Sequence, residues 1–309
     1  MSGNGPEDSG KQIPELKQLK IEERAKKIQK LVTSLKLFFG SRKAVFGFFL
    51  LLVFIVFAAI GPVVYEYHHD GYALGRRLQA PNEKYVLGLD ELGRDVMGAV
   101  IYGARASLAI GFFVTLLIVI VGSFIGILTG YFGGLIDIIL MRVTEAFMLV
   151  PFMPLVLTLS AIIGQRFSNI IIILGLTSWP GTARLVRSQT LTIKQRNYVE
   201  RARSLGASSA YIMFRHILPN IFPLIFSEII LLVQSAIIAE STLAFLGIGD
   251  PSIPTWGQLL RSAREQGSIL VGSWWLFVPA GICIFLLASS FVFISYGFDE
   301  VLNPKLRKR

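Results

Sequence analysis

Charged residues are scarce in this chain of 309 residues, of which Asp, Glu, Lys and Arg make up 16%. Soluble domains carry about 25%. Cysteine is scarcer still, because Cys283 is the only one, which excludes a disulfide within the chain and a thiolate metal cluster. Hydrophobic residues make up 53% of the chain. This composition predicts that much of the protein surface contacts lipid rather than water.

Motifs of common enzyme classes are also missing. The sequence contains neither H-E-x-x-H nor G-x-S-x-G, so neither a zinc protease nor a serine hydrolase is indicated. We interpret the adjacent His68 and His69 as solvated loop residues rather than metal ligands. Residues 5–12 approach the phosphate-binding pattern G-x-x-x-x-G-K-[ST], but Gln12 replaces the hydroxyl that would bind magnesium. We therefore expect no cofactor on this chain.

Six long apolar stretches predict six transmembrane helices. A helix needs about 20 apolar residues to cross the hydrocarbon core of a bilayer, and none of the stretches alternates as a barrel strand does. The stretches are Ala44–Tyr65, Ala106–Ile136, Ala146–Gln165, Phe167–Ala183, Ile217–Ala239 and a span within Gln266–Phe298. The sequence thus predicts an all-α membrane protein.

The distribution of basic residues predicts the orientation of these spans. Lys and Arg collect on the cytoplasmic side of membrane helices. If both termini are cytoplasmic, 22 of the 30 basic residues lie on that side, with Arg142 in a turn between the second and third spans. The formal charge of +10 is therefore an orientation signal, and we expect no nucleic acid as a partner.

The chain divides into three predicted regions. Residues 1–43 form a basic cytoplasmic segment without a cleavable signal peptide, residues 44–105 hold the first span and an external loop, and residues 106–309 hold the other five spans. An amphipathic helix from Ile13 to Phe39 is predicted to lie along the inner leaflet. A solvated, partly helical tail is the alternative. The apolar face of that helix would consist of Ile28, Leu31, Val32, Leu35 and Phe39.

The cytoplasmic loop at residues 194–220, called the coupling segment below, predicts two short helices that meet at a glycine. Asn197 and Glu200 resemble a capping box that starts the first helix, and Gly206 suits its left-handed end. Pro219 fits the first turn of the next span. The candidates for capping the second helix, which runs through Tyr211, Ile212 and Phe214, are Ser208 and Ser209.

A family resemblance emerges from the same loop. Glu200-Arg201-Ala202, then Gly206 and His216-Ile217-Leu218-Pro219 resemble the E-A-A-x3-G-x9-I-x-L-P signature of binding-protein-dependent ABC transporter permeases. Arg201 and His216 depart from the pattern. The ending Arg215-His216-Ile217-Leu218-Pro219-Asn220 looks like that of the peptide/nickel subfamily.

Further segments are similar to the second permease subunit of oligopeptide and dipeptide importers. Together they extend the resemblance over residues 42–307. They are Gly88–Asp95, Ile101–Leu108, Gly130–Gly134, Trp179–Gly181 and Ala239–Gly247.

The resemblance implies the type I ABC importer permease fold and a transport subunit that is not an enzyme. It also implies a homologous second permease, two ABC ATPase subunits that bind ATP and Mg²⁺, and an extracytoplasmic substrate-binding protein, in a bacterial or archaeal cell membrane. Glu200 would offer a charge to a groove on an ATPase, and Gly206 would permit the bend. The implied coupling residues are Glu200, Arg201, Ala202, Gly206, His216, Ile217, Leu218 and Pro219.

Alternatives to peptide import remain open. An importer of nickel chelates or oligosaccharides would share these motifs. An ATP-independent secondary transporter would instead show an inverted repeat with broken helices.

Two features inside the membrane are candidate sites. Gly122, Gly126 and Gly130 recur at every fourth position, which lets helices approach closely, within this chain or between permease subunits. Glu228 lies about 16 Å along the fifth span, counted from Ile217, where an acidic side chain is costly. It either lines the translocation path, or contacts another subunit, or makes a structural hydrogen bond.

The remaining candidates lie near the membrane surfaces. Glu240, at the outer end of the fifth span, is a second hypothesis for the translocation path, and Arg142 and Glu145 could form an ion pair. The external loops at residues 66–105 and 241–273 either receive a binding protein or simply connect helices. Trp256 in the second loop suggests anchoring at the membrane surface.

Overall fold

The computed structural model describes residues 36–65, 77–268 and 270–302, together with residues 29, 32, 33 and 67. Residues 5–12 and His68 and His69 lie outside this part of the chain. The described part is helical, with one isolated bridge between Leu89 and Asp95. The helices are α1 (Arg42–Val64), α2 (Val96–Phe132), α3 (Gly134–Leu149), α4 (Phe152–Ile163), α5 (Phe167–Lys194), α6 (Asn197–Ser204), α7 (Ser209–Ile212), α8 (Leu218–Phe245), α9 (Trp256–Glu265) and α10 (Val278–Leu302).

Five straight helical runs are long and apolar enough to cross a membrane, and the bent pair of α3 and α4 makes up to six crossings. The prediction of a six-span helical protein is thereby confirmed, although the third span is not one helix. α3 and α4 meet at 92°, because Pro151 lacks an N–H and holds Val150 in an extended conformation with ψ 126°.

Several predicted boundaries were wrong. α2 begins ten residues earlier than expected, because Asp95 caps it by accepting a hydrogen bond from the Met97 N–H at 3.1 Å. It ends at Phe132, where Gly133 turns the chain with φ +68°. Arg142 lies inside α3 rather than in a turn. α5 continues eleven residues past the expected end to Lys194, since basic residues are tolerated once a helix has left the hydrocarbon core.

The last two spans also differ from their predicted limits. α8 extends to Phe245, and residues 266–277 before α10 are turns with a short 3₁₀ helix at Trp274–Leu276. The N-terminal amphipathic helix lies largely outside the described residues. Where its end is described, Phe38 is buried and Phe39 is exposed, and the contact of the predicted apolar face with the inner leaflet stays a prediction.

The glycine stripe of α2 packs against α5 of the same chain. A Cβ at Gly122 would lie 2.7 Å from Thr182 Cβ, and one at Gly130 would lie 2.6 Å from Thr190 Cβ. Gly126 faces Val186 between them. The sequence left open whether the stripe packs within this chain or against another permease subunit. The contacts among the described residues are within the chain. Gly111 faces a different helix, α8, at Ile237.

An ordered cap covers the outer ends of the spans. Trp256 at the start of α9 is fully buried and donates its indole N–H to the Val100 carbonyl at 2.9 Å. Trp275 donates in the same way to the Leu89 carbonyl at 3.3 Å. The expectation that Trp256 anchors at the membrane surface was therefore wrong, because its ring is used to fasten α9 onto α2.

Candidate functional site

The first helix of the coupling segment, α6, is held by one apolar side chain. Val199 is 0% exposed, while its neighbours Tyr198 and Glu200 are exposed. Arg196 occupies the N-cap position without a side-chain hydrogen bond, and Asn197 is already helical. The predicted capping box was therefore wrong, since no side chain caps the start of α6 in the described residues.

The end of α6 matches its prediction. Gly206 has φ +80°, its N–H donates to the Arg203 carbonyl at 3.0 Å, and the Ala207 N–H donates to the Ala202 carbonyl at 3.1 Å. These two bonds form a Schellman motif. A Cβ at Gly206 would meet no atom within 4 Å, so the conformation, and not the space, requires glycine here.

The second predicted helix is not a separate element. Ser208 caps α7 by accepting from the Tyr211 N–H at 3.2 Å, as expected. α7 then passes through a π-helical turn at Met213–Ile217 directly into α8, with Pro219 in the first turn. One continuous helical run therefore extends from Ser209 to Phe245.

An apolar cluster fastens the coupling segment to the membrane helices. It consists of Tyr131, Val186, Val199, Ile212, Ile217, Ile221 and Ile225. Tyr131 at the end of α2 is central, because its hydroxyl hydrogen-bonds to the Ser209 hydroxyl at 3.3 Å. The Arg203 guanidinium lies 5.6 Å from the centre of its ring. The sequence did not single out Tyr131, although its aromatic side chain directly precedes the turn after α2.

The surface of the segment that faces away from the membrane helices mixes charge with exposed apolar groups. Asn197, Glu200, Arg201, Ser204 and Leu205 line an open cavity of about 690 Å³. Leu205 is 87% and Phe214 is 70% exposed. Arg201 is exposed on this surface. Apolar side chains this exposed indicate a surface that another molecule covers.

The other residues of the predicted signature differ in exposure, and Pro219 is exposed. His216 is placed between two aromatic rings, 6.0 Å from Tyr198 and 5.6 Å from Tyr211 between ring centres. Its carbonyl accepts from the Asn220 side chain at 2.6 Å. Ile217 is fully buried, whereas Ala202 and Leu218 are partly buried.

The two acidic candidates of α8 lie in different surroundings. Glu228 accepts a hydrogen bond from the Thr182 hydroxyl at 2.9 Å, and its other oxygen is buried without a partner among the described residues. Glu240 is 2% exposed and lies beside the hydroxyls of Ser241 and Thr255. Glu240 therefore has no contact with an open surface of this chain.

The first external loop carries charged groups in fixed positions. Asp90 accepts from the Arg94 backbone N–H at 2.8 Å and from its guanidinium at 2.7 Å. Burial raises the pKa of the Asp95 carboxyl above its ordinary value, and burial raises the pKa of Tyr67 to about 12. Glu91 meets Ser262 of α9, so the two external loops contact each other.

A second long-range contact holds the start of α5. The Phe167 N–H donates to Asp250 at 2.9 Å, so a carboxylate 83 residues away caps this helix. Burial alone would raise the pKa of Asp250, but hydrogen bonds from Ser252 and Phe167 together with the charge of Arg166 lower it below its ordinary value.

Metal-binding groups are not clustered in the part of the chain that is described. No set of three or more His, Cys, Asp or Glu residues there could hold a metal ion.

Comparison with known proteins gives the family. Residues 122–308 match the family described as binding-protein-dependent transport system inner membrane component. Residues 33–81 match the N-terminal TM domain of oligopeptide transport permease C.

Individual relatives match over most of their length. The dipeptide transport system permease protein DppC of Bacillus subtilis is 37% identical, over 87% of this chain and 83% of the relative. The glutathione transport system permease protein GsiD of Pectobacterium atrosepticum is 36% identical, over 84% and 85%. The oligopeptide transport system permease protein OppC of Bacillus subtilis is 32% identical, over 88% of each chain. The chain is a multi-pass transport subunit rather than an enzyme, and it works with a binding protein and an ATPase. It therefore belongs to the family of binding-protein-dependent transport system inner membrane components, the permease subunits of ABC transporters.

Proposed function

We propose that this permease imports short peptides. Support comes from relatives whose names give dipeptides, oligopeptides and glutathione, itself a peptide, as the cargo. Nickel chelates and oligosaccharides are the alternative cargoes within the same transporter class. In the proposed complex this chain forms half of the translocation pore with a homologous second permease. Two ATPase subunits bind ATP and Mg²⁺ on the cytoplasmic side, and a substrate-binding protein docks outside.

The coupling segment is the proposed contact with an ATPase subunit. This assignment rests on the two faces of α6. Val199 is buried on the face toward the membrane helices, and Glu200, Arg201 and Leu205 are exposed on the opposite face. Exposed charges give a docking surface its orientation, and exposed apolar groups give it affinity. Ala202, Gly206 and the residues 216–219 set the angle between α6 and the start of α8.

Motion would reach the pore through α8. Because α7 continues into α8 without a break, a push on the segment would tilt a helix that crosses the whole membrane. Glu228 on that helix is the group for which we propose a role in the translocation path, and its buried, unpartnered oxygen supports this role. The Glu240 carboxylate is enclosed and lies beside the hydroxyls of Ser241 and Thr255, so we propose no role in the path for it.

The test is copurification of the permease with an ATPase subunit. We expect the double variant Glu200→Arg, Gly206→Ala to lose the ATPase while keeping its yield in detergent. Gly272→Ala is a matched control, because Gly272 has φ +74° and no neighbour within 4 Å, like Gly206, but lies on the opposite membrane face. Glu83→Arg, at an exposed external position, controls for charge. Full retention of the ATPase by the double variant would contradict the proposal.

A further inference from the structure

A cavity of about 410 Å³ lies between α3 and α5 near the cytoplasmic side. Met141, Thr144, Glu145, Arg184, Arg187 and Ser188 line it. Its size falls within the range of about 300–1,000 Å³ that is common for small-ligand sites. None of these residues belongs to the coupling segment, and the proposed function assigns no role to the cavity.

Contacts between the two helices show how deep in the membrane the cavity lies. Asp137 meets Arg187 through two hydrogen bonds of 2.6 Å, and Phe147 meets Trp179 with ring centres 5.6 Å apart. α3 and α5 are therefore antiparallel, and the cavity lies between these two contacts. The apolar stretch of α5 ends at Ala183, so the cavity begins where the hydrocarbon core ends on the inner side.

Arg184 is a cation without a carboxylate partner among the described residues. The hydrogen bond described for its guanidinium goes to the thioether of Met148 at 3.4 Å, and a thioether is a weak acceptor. Arg187, one turn further on, is already held by Asp137. The guanidinium of Arg184 therefore has donors left for an anion.

The exposed face around Arg184 faces water rather than lipid. Arg142 and Glu145 on α3 form an ion pair at 2.8 Å, yet their side chains are 79% and 54% exposed. Arg184 is exposed as well. These three charged side chains therefore lie together where the hydrocarbon core ends, on a surface that water reaches.

The charges of the cavity favour one class of anion. Glu145 forms part of its wall, and its carboxylate, paired with Arg142, can also accept a hydrogen bond from an ammonium group. A ligand that carries a carboxylate together with an ammonium group can pair with the cation of Arg184 and with the anion of Glu145. A short peptide with free termini has this chemistry.

We propose that Arg184 binds the C-terminal carboxylate of a peptide as it leaves the pore on the cytoplasmic side. This inference rests on the proposed import of peptides and deepens it by naming a cargo-binding residue on the permease itself. The planar guanidinium can donate two parallel hydrogen bonds to a carboxylate.

The experiment compares trialanine with trialanine amide in ATP-driven uptake by the complete transporter in proteoliposomes. Arg184→Gln should lower the trialanine rate about tenfold, as expected for the loss of a charged hydrogen bond, and leave the amide rate unchanged. Discrimination by the binding protein is the same for both transporters and cancels in this comparison. Arg184→Lys should lower the trialanine rate less, because lysine keeps the positive charge but lacks the paired N–H donors of the guanidinium. Met148→Leu removes the thioether acceptor without a change of charge and should leave both rates as they are.

ATP hydrolysis in the presence of the binding protein provides the second measurement. If Arg184 binds cargo, hydrolysis by Arg184→Gln stays near the unsubstituted rate while trialanine uptake falls. Equal losses of uptake and hydrolysis, equal losses for both peptides, or no loss at all would overturn the inference. So would dissociation of the second permease, which would show that Arg184 pairs with a carboxylate there. If the unsubstituted complex hydrolyses ATP but carries neither peptide, the peptide assignment itself fails, and this inference fails with it.

Discussion

The hydroxyl of Thr182 on α5 donates a hydrogen bond of 2.9 Å to the carboxylate of Glu228 on α8. α5 leads into the coupling segment and α8 leads out of it. The two membrane helices that flank the coupling segment are therefore joined by a hydrogen bond inside the membrane.

Removal of the donor should destabilise the permease. Thr182→Val has nearly the same shape but leaves the Glu228 carboxylate without its partner, which costs about 1–3 kcal/mol. We expect a lower thermal midpoint in detergent, with Thr182→Ser, which keeps the hydroxyl, closer to the unsubstituted protein. Equal midpoints for the Val and Ser variants would show that the bond contributes nothing.

Glu228→Gln separates the two roles considered for this residue. An amide oxygen can still accept from Thr182, so stability should change little, whereas a charge that lines the path would be lost. We expect transport to fall while the permease still assembles with its partners. Unchanged transport and unchanged assembly would rule out a role in the path.

A methyl group on the glycine stripe should push α2 away from α5. A Cβ at Gly126 would lie 2.6 Å from the backbone oxygen of Ala183, and backbone cannot move aside as a side chain can. Gly126→Ala should cost about 1–3 kcal/mol through overpacking and lower the thermal midpoint. The control is Gly281→Ala in α10, where a Cβ meets nothing within 4 Å. A loss as large for Gly281→Ala would point to glycine content rather than packing.

Two substitutions in the coupling segment should separate anchoring from docking. Val199→Ala removes two buried methyl groups and should cost about 1–2 kcal/mol, with faster hydrogen exchange confined to α6. Leu205→Ala changes a side chain that is 87% exposed, so stability should be unchanged and ATPase binding weaker. A midpoint that falls with Leu205→Ala would mean that this side chain is buried within the permease.

Acid should loosen the contact between the second external loop and α5. The pKa of Asp250 is lowered in the folded protein, so its contribution to stability is fully present above the unfolded value of about 3.9 and is lost as pH falls through the folded value. Asp250→Asn should therefore lower the thermal midpoint at pH 7, and the difference from the unsubstituted protein should shrink below about pH 4. Glu83→Gln, at an exposed external position, should produce no such convergence. A constant difference down to pH 3 would contradict this role of Asp250.

The membrane spans could be predicted from the sequence because they depend on local composition, and their orientation stays a prediction from the same source. A run of apolar residues enters lipid whichever segment lies beside it, and Lys and Arg remain on the cytoplasmic side for a reason equally independent of the fold. The same holds for Gly206 and Ser208, whose roles at helix ends involve residues within five positions along the chain.

Tertiary structure alone decided which distant segments meet. Asp250 caps α5 from 83 residues away, Trp256 is buried against Val100 instead of anchoring in the membrane, and Glu240 is enclosed where the sequence suggested an open path. The angle of 92° between α3 and α4 is also of this kind, because Pro151 permits a bend without fixing its size. Such contacts depend on the relative alignment of long helices. The composition and spacing of residues within one segment do not determine that alignment.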